Sequence, residues 1–244
     1  MALLHRIAQT VGFFEFAFRR RDAAGDIRPS DAAEGTLAGT DPLRLLVLGE
    51  ATAMGLGVAT HELGPAAQTA RRVARHSARG VSWAALGLPD SRLRSAPAIL
   101  DEPARFAELD CVIVMAGITD TLTVTPVAEW GAQLAALLDA LERALPAHGH
   151  VLVAEIPPMD NAGSISRAAR LAAGLHARRL NAATREVVRD RARVATTPFP
   201  ASLTEDVWLP RSEQSSYRDM YAAWGDSFAA ALVSRVPRLS SPES

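Results

Sequence analysis

LRLLVLGEATAMGLGV, residues 43–58, is the stretch on which the reading of this chain turns. Leu43 to Leu48 is a short apolar run broken only by Arg44, with Asp41-Pro42 before it and Gly49 after it. A run this short, bounded by turn residues, fits a strand buried on both faces, as in a parallel sheet. Gly49, Gly55 and Gly57 then punctuate a turn. Open α/β sheets hold their ligands at the carboxyl ends of such strands. In this chain Ala51 and Thr52 stand where a reactive side chain is looked for.

The same pattern repeats outward from this stretch. Glu62 to Arg79 reads as a helix with Arg71, Arg72, Arg75 and Arg79 toward water. Val81 to Leu86 is a second strand, stopped at Gly87, and Pro89 to Pro97 is an irregular loop. Cys111 to Ala116 is a third strand. Pro126 sits at the start of a long helix, Val127 to Leu145, where its missing N–H costs nothing. Val151 to Ile156 is a fourth strand, Ser164 to Arg189 a helix, Arg193 to Thr197 a short fifth strand and Ser216 to Val236 a last helix. Strands alternating with helices imply a mostly parallel sheet covered on both faces. The loops expected at its ligand-binding end are residues 49–57, 87–92, 117–121 and 157–163, joined by 208–216.

Size and charge narrow the classes. The chain has 244 residues, 48% of them hydrophobic, which suits one globular domain with a substantial core. A net charge of −1 gives no field that would favour nucleic acid. Cys111 is the only cysteine, so no intrachain disulfide forms, and its apolar setting predicts a buried filler. Residues 1–21 carry Leu3, Leu4, Ile7, Val11, Phe14 and Phe18 at helix-like spacing, with Arg19, Arg20 and Arg21 behind them. The basic residues follow the apolar stretch and no cleavage site is clear, the reverse of a signal peptide. This segment is expected to pack on its own domain, on a partner, or on a membrane surface. Residues 25–40 read as a linker or surface loop. The expected division is therefore residues 1–40 as amphipathic helix and linker, 41–238 as the main domain and 239–244 as a flexible tail. A cytoplasmic protein is expected, membrane-peripheral if the first helix lies on lipid.

Common motifs are missing. The glycines after the first strand do not make a dinucleotide fingerprint, and there is no phosphate-loop lysine or nucleophile elbow. The histidines do not cluster as metal ligands, so neither metal nor cofactor is expected.

The stretch LVLGEATAMGLGV resembles the first block of the SGNH (GDSL-type) hydrolases, in the bacterial esterase and lipase-like branch. VSWAALGLPDSRL resembles the second block, VIVMAGITDTL the third and AEIPPM the strand end after it. RSEQSSYRDMYAAWGDSFAAAL resembles the final block and its helix. The likeness runs from about Pro42 to Val236. It implies a three-layer αβα flavodoxin-like sandwich with a mostly parallel central sheet. It also implies a serine nucleophile, an oxyanion hole built from three blocks and a late Asp-x-x-His.

This chain departs from that pattern at each reacting position. Ala51 stands at the serine, with Glu50 at the aspartate before it. Asp90 falls on the oxyanion glycine and Thr119 on the oxyanion asparagine. Arg211 and Gln214 take the late acid and base positions. A methyl group supplies no nucleophile, and a glutamine side chain carries no proton at neutral pH. The expectation is a catalytically inactive SGNH-like protein that acts as a binding or regulatory subunit. Its partner would be a related active hydrolase or a second copy, or its remnant cleft would hold a small acyl or glycan ligand. That cleft would comprise Glu50, Ala51, Thr52, Asp90, Thr119, Asp120, Arg211 and Gln214. The competing expectation is an ester hydrolase with rearranged chemistry, using Thr52 as nucleophile or drawing on Glu50, Asp120 or His61. Glu50, Asp90 and Asp120 would then form an acid–base cluster, the bland alternative being solvated or loop-holding carboxylates.

Overall fold

The computed structural model describes residues 27–161, 166–203 and 216–235. Its centre is a strand over Thr40–Gly49 (β2), preceded by a short strand at Glu34–Leu37 (β1). Helix α1 (Pro65–Ser77) leads to β3 (Arg79–Gly87), and a short helix α2 (Pro97–Leu100) precedes β4 (Cys111–Met115). Then come α3 (Ile118–Leu122), α4 (Val127–Ala144), β5 (His150–Ala154), α5 (Arg167–Val188), β6 (Val194–Thr197) and α6 (Ser216–Arg235). The six strands lie in the order β1-β3-β2-β4-β5-β6. All neighbours are parallel except β1, which runs antiparallel to β3. This is the expected mostly parallel sheet in a three-layer αβα sandwich.

The apolar run at 43–48 explains the layers. Successive strand residues point to opposite faces. Leu46 and Leu48 enter one core with Val112, Val114, Trp130, Leu134 and Leu138, under α4 and α5. Leu45 and Val47 enter the other with Ala67, Val73, Trp224 and Phe228, under α1 and α6. From Leu45 onward both faces of β2 are thus dry, so this half of the strand reads as an apolar run and not as an alternation, whereas Arg44, before it, is exposed and pairs with Glu108. Cys111 lies in the second core, where burial pushes its thiol pKa up and leaves it no nucleophilic role.

One expectation is corrected. Residues 34–40, read as linker, belong to the sheet: β1 pairs Glu34 with Ala84 through Leu37 with Val81, and β2 already begins at Thr40. The strand hides because one face is exposed and the other only partly buried, and because Gly35 carries no side chain. A Cβ there would overlap the Trp83 indole, so glycine lets the edge strand close over that ring. The helix read as Glu62–Arg79 is also shorter. A 3-10 turn at His61–Leu63 precedes it, and Ala78, in the left-handed region at φ 54°, ends it. The expected first helix, within residues 1–21, and the tail 239–244 lie outside the described residues.

Candidate functional site

The site is built where β2, β3 and β4 end. β2 stops at Gly49, whose Cα lies against the Met115 carbonyl and leaves no room for a Cβ. The Glu50 N–H donates to that carbonyl at 2.9 Å, and the chain then turns through Ala51 and Thr52. The turn closes with N–H groups of Ala53 and Met54 on the Glu50 carbonyl and of Leu56 on the Ala51 carbonyl. Gly55 and Gly57 have φ of 75° and 89°, a region that side chains resist. Ala51 and Thr52 are half-buried at the apex.

Glu50 is the keystone of this end. It is 5% exposed. Its Oε1 accepts the Ile118 N–H at 2.7 Å; its Oε2 accepts the Thr119 N–H at 2.7 Å and the Thr119 hydroxyl at 2.5 Å. The carboxylate therefore binds the first residues of α3 to the end of β2. Burial, opposed by these hydrogen bonds and reinforced by the nearby Asp120 charge, pushes its pKa up to about 7. Thr119, the residue at the expected oxyanion position, spends its hydroxyl on Glu50 and does not offer it to the cleft.

Asp120 does the same for the loop after β3. It is fully buried. Its Oδ2 accepts the Leu93 N–H at 3.0 Å, and its Oδ1 accepts the Thr125 hydroxyl at 2.6 Å. The Arg92 guanidinium stands 3.5 Å from Oδ1 and donates to Thr125 Oγ1 at 2.8 Å. His176, buried on α5, donates from Nε2 to the Thr125 carbonyl at 3.0 Å. Asp90, by contrast, is exposed and turned to its own loop, accepting from the Arg92 N–H at 3.0 Å and from Arg94 at 2.8 Å. Glu50 and Asp120 are thus both buried against the start of α3, each with its own set of donors and close enough for their charges to repel, whereas Asp90 is exposed. Arg211 and Gln214 lie outside the described residues.

His61 has a partner that no local pattern announces. Asp31, thirty residues earlier, accepts both its backbone N–H at 2.8 Å and its ring Nδ1–H at 2.9 Å. The hydrogen bond to the backbone N–H is the chief reason the Asp31 pKa sits below its ordinary value. Arg92, Thr125 and Asp31 are the participants that sequence reasoning missed. Arg92 and Asp31 reach their partners across separate loops, whereas Thr125 lies only five residues from Asp120. Among the described residues no group of three or more His, Cys, Asp or Glu is placed to hold a metal ion.

Three solved structures place this architecture. A proposed arylesterase from Agrobacterium tumefaciens superposes with a TM-score of 0.59 at 18% identity, covering 79% of this chain and 99% of its own. An extracellular lipase from Streptomyces rimosus gives 0.53 at 18% identity, covering 79% and 99%. A proposed lipolytic protein of the G-D-S-L family from Desulfitobacterium hafniense gives 0.52 at 12% identity, covering 78% and 99%. At these identities the likeness establishes the fold, that of the SGNH/GDSL esterases and lipases. No family model matches the chain, and no curated protein matches it in sequence.

Proposed function

We propose that this protein is a catalytically inactive member of the SGNH fold that works by binding, as a regulatory or partner subunit or through its remnant cleft. One observation supports the reading. Glu50 ties the turn after β2 to Ile118 and Thr119, and the residue at the apex of that turn, which the resemblance aligns with the family's serine, is Ala51. A serine hydrolase needs an oxygen there and a base to take its proton. Retaining a frame that costs the burial of a carboxylate, while the nucleophile is gone, favours a cleft kept for its shape. The neighbours named as esterases and lipases suggest an acyl ligand for that cleft, with a glycan next. A related active hydrolase or a second copy of this chain is the protein partner that suits a degenerate copy, by analogy of fold.

The second reading rests on Thr52, a half-buried hydroxyl-bearing residue next to Ala51 in the chain. The test is hydrolysis of a short-chain p-nitrophenyl ester by the purified chain beside Thr52→Ala. Binding without catalysis predicts no turnover above buffer in either protein. Turnover that disappears in Thr52→Ala would overturn the proposal and make Thr52 the nucleophile.

A further inference from the structure

Of the groups bonded to the Glu50 carboxyl, only one can reverse its role. The N–H groups of Ile118 and Thr119 meet Oε1 and Oε2 at 2.7 Å, and a backbone N–H only donates. The Thr119 hydroxyl, 2.5 Å from Oε2, can donate or accept. The pair therefore has two arrangements. An ionised Glu50 only accepts, so the Thr119 hydroxyl gives its proton to Oε2 and keeps its lone pairs for its other side. A protonated Glu50 has to place an O–H. Toward Ile118 that O–H meets another donor; toward Thr119 it finds Oγ1. Thr119 then accepts from Oε2, and its own proton is free to donate outward.

Glu50 is 5% exposed whereas Thr119 is half-buried, so the threonine is the member of the pair that a ligand can reach. Ala51, next to Glu50 in the chain, offers only a methyl group. The charged groups around the carboxyl are few. Asp120, next on α3, sets its charge against Glu50 and is itself held by the Leu93 N–H, by Thr125 and by Arg92 from the loop after β3. β4 presents the Met115 carbonyl, which takes the Glu50 N–H. The turn from Ala51 to Gly57 carries no ionisable side chain. Asp90 is bound to Arg94, and His61 to Asp31. Burial, opposed by the three hydrogen bonds and aided by the Asp120 charge, places the Glu50 pKa at about 7, so both arrangements are populated near neutral pH.

We propose that Thr119 is the polar handle of the remnant cleft and that the proton on Glu50 sets its sense: with Glu50 protonated the hydroxyl donates to the carbonyl oxygen of an acyl ligand, and with Glu50 ionised it turns acceptor and that carbonyl loses its partner. The inference rests on the binding reading above and narrows its ligand. A carbonyl oxygen needs a donor and feels the change of sense. A ligand hydroxyl, donor and acceptor at once, pairs with Thr119 in either arrangement. The proton that Glu50 gains or loses is exchanged with solvent, and no bond of the ligand is made or broken.

The experiment titrates the full chain with 2-heptanone, an acyl chain with a carbonyl acceptor, no donor and no ester bond, and with 1-heptanol, its hydroxyl counterpart. Binding is followed by NMR through the amide signals of Ala51, Thr52 and Thr119 at pH 6 and pH 8. Across that interval the donating arrangement falls from about nine tenths of the molecules to about one tenth, so the Kd of the ketone should rise about tenfold while that of the alcohol changes less than about twofold. Thr119→Val should hold the ketone at its weak value at both pH values, and Thr119→Ser, which keeps the hydroxyl, should restore the dependence. Ketone binding that is equal at the two pH values, or that changes in step with the alcohol, overturns the handle and leaves a binding cleft standing. A dependence that survives Thr119→Val also overturns it. Should neither probe shift those amides at either pH, the cleft reading fails and the handle with it.

Discussion

Replacing Glu50 by glutamine tests the account of the site most directly, because burial and hydrogen bonding make opposite demands there. The carboxylate is 5% exposed and its pKa is raised from 4.5 to about 7. The folded state therefore holds this proton at pH values where the unfolded chain has released it. Stability from this group is complete below about pH 4.5, falls as pH rises, and levels off above pH 7. At 1.36 kcal/mol per pH unit the full loss is roughly 3 kcal/mol, most of it between pH 5 and pH 8. Glutamine does not titrate, so Glu50→Gln removes this slope. It also sets an amide NH2 against one of the two donors, the N–H of Ile118 or of Thr119. Leaving such a buried donor unpaired costs about 1–3 kcal/mol at any pH. The variant should therefore be clearly less stable than the native chain at pH 5 and close to it at pH 8. Urea unfolding at several pH values measures this, with m-values compared to verify that the unfolded states match. Other groups titrate alike in both proteins and cancel in the difference. A stability difference that stays flat across that range would refute the reasoning, since it would mean that Glu50 ionises as a solvated carboxylate does.

Two further perturbations probe the same end of the sheet. Asp120→Ala strips a fully buried acceptor from the Leu93 N–H and the Thr125 hydroxyl, and should lower stability by about 3 kcal/mol in denaturant unfolding. Hydrogen exchange should rise at the Leu93 amide in particular. Gly57→Ala forces a side chain to φ 89° and into the Tyr217 ring, so it should cost at least about 2 kcal/mol and lower the thermal midpoint by several degrees. The same change should speed exchange of the Gly57-position amide that is bonded to Ile27.

Much of this molecule is readable from local sequence, and the reason is periodicity. The run at 45–48 has to be buried on both faces, and helices such as 127–144 show their apolar stripe at regular spacing, so strand order along the chain and the layer class follow from short windows. The absence of a serine at 51 is equally local. The edge strand at 34–37 was not readable, because its place depends on Gly35 fitting the Trp83 ring from 48 residues away. The tertiary structure alone decided what the carboxylates do. Glu50 and Asp120 appear in sequence as two acids near strand ends, but their burial and their backbone donors come from loops 68 and 27 residues distant. The Asp31–His61 pair likewise exists only because β1 begins at the rim where the turn after β2 ends. Periodic burial is encoded residue by residue. The partner of a buried polar group is set by which loops the finished sheet brings together, and no short window of sequence contains that information.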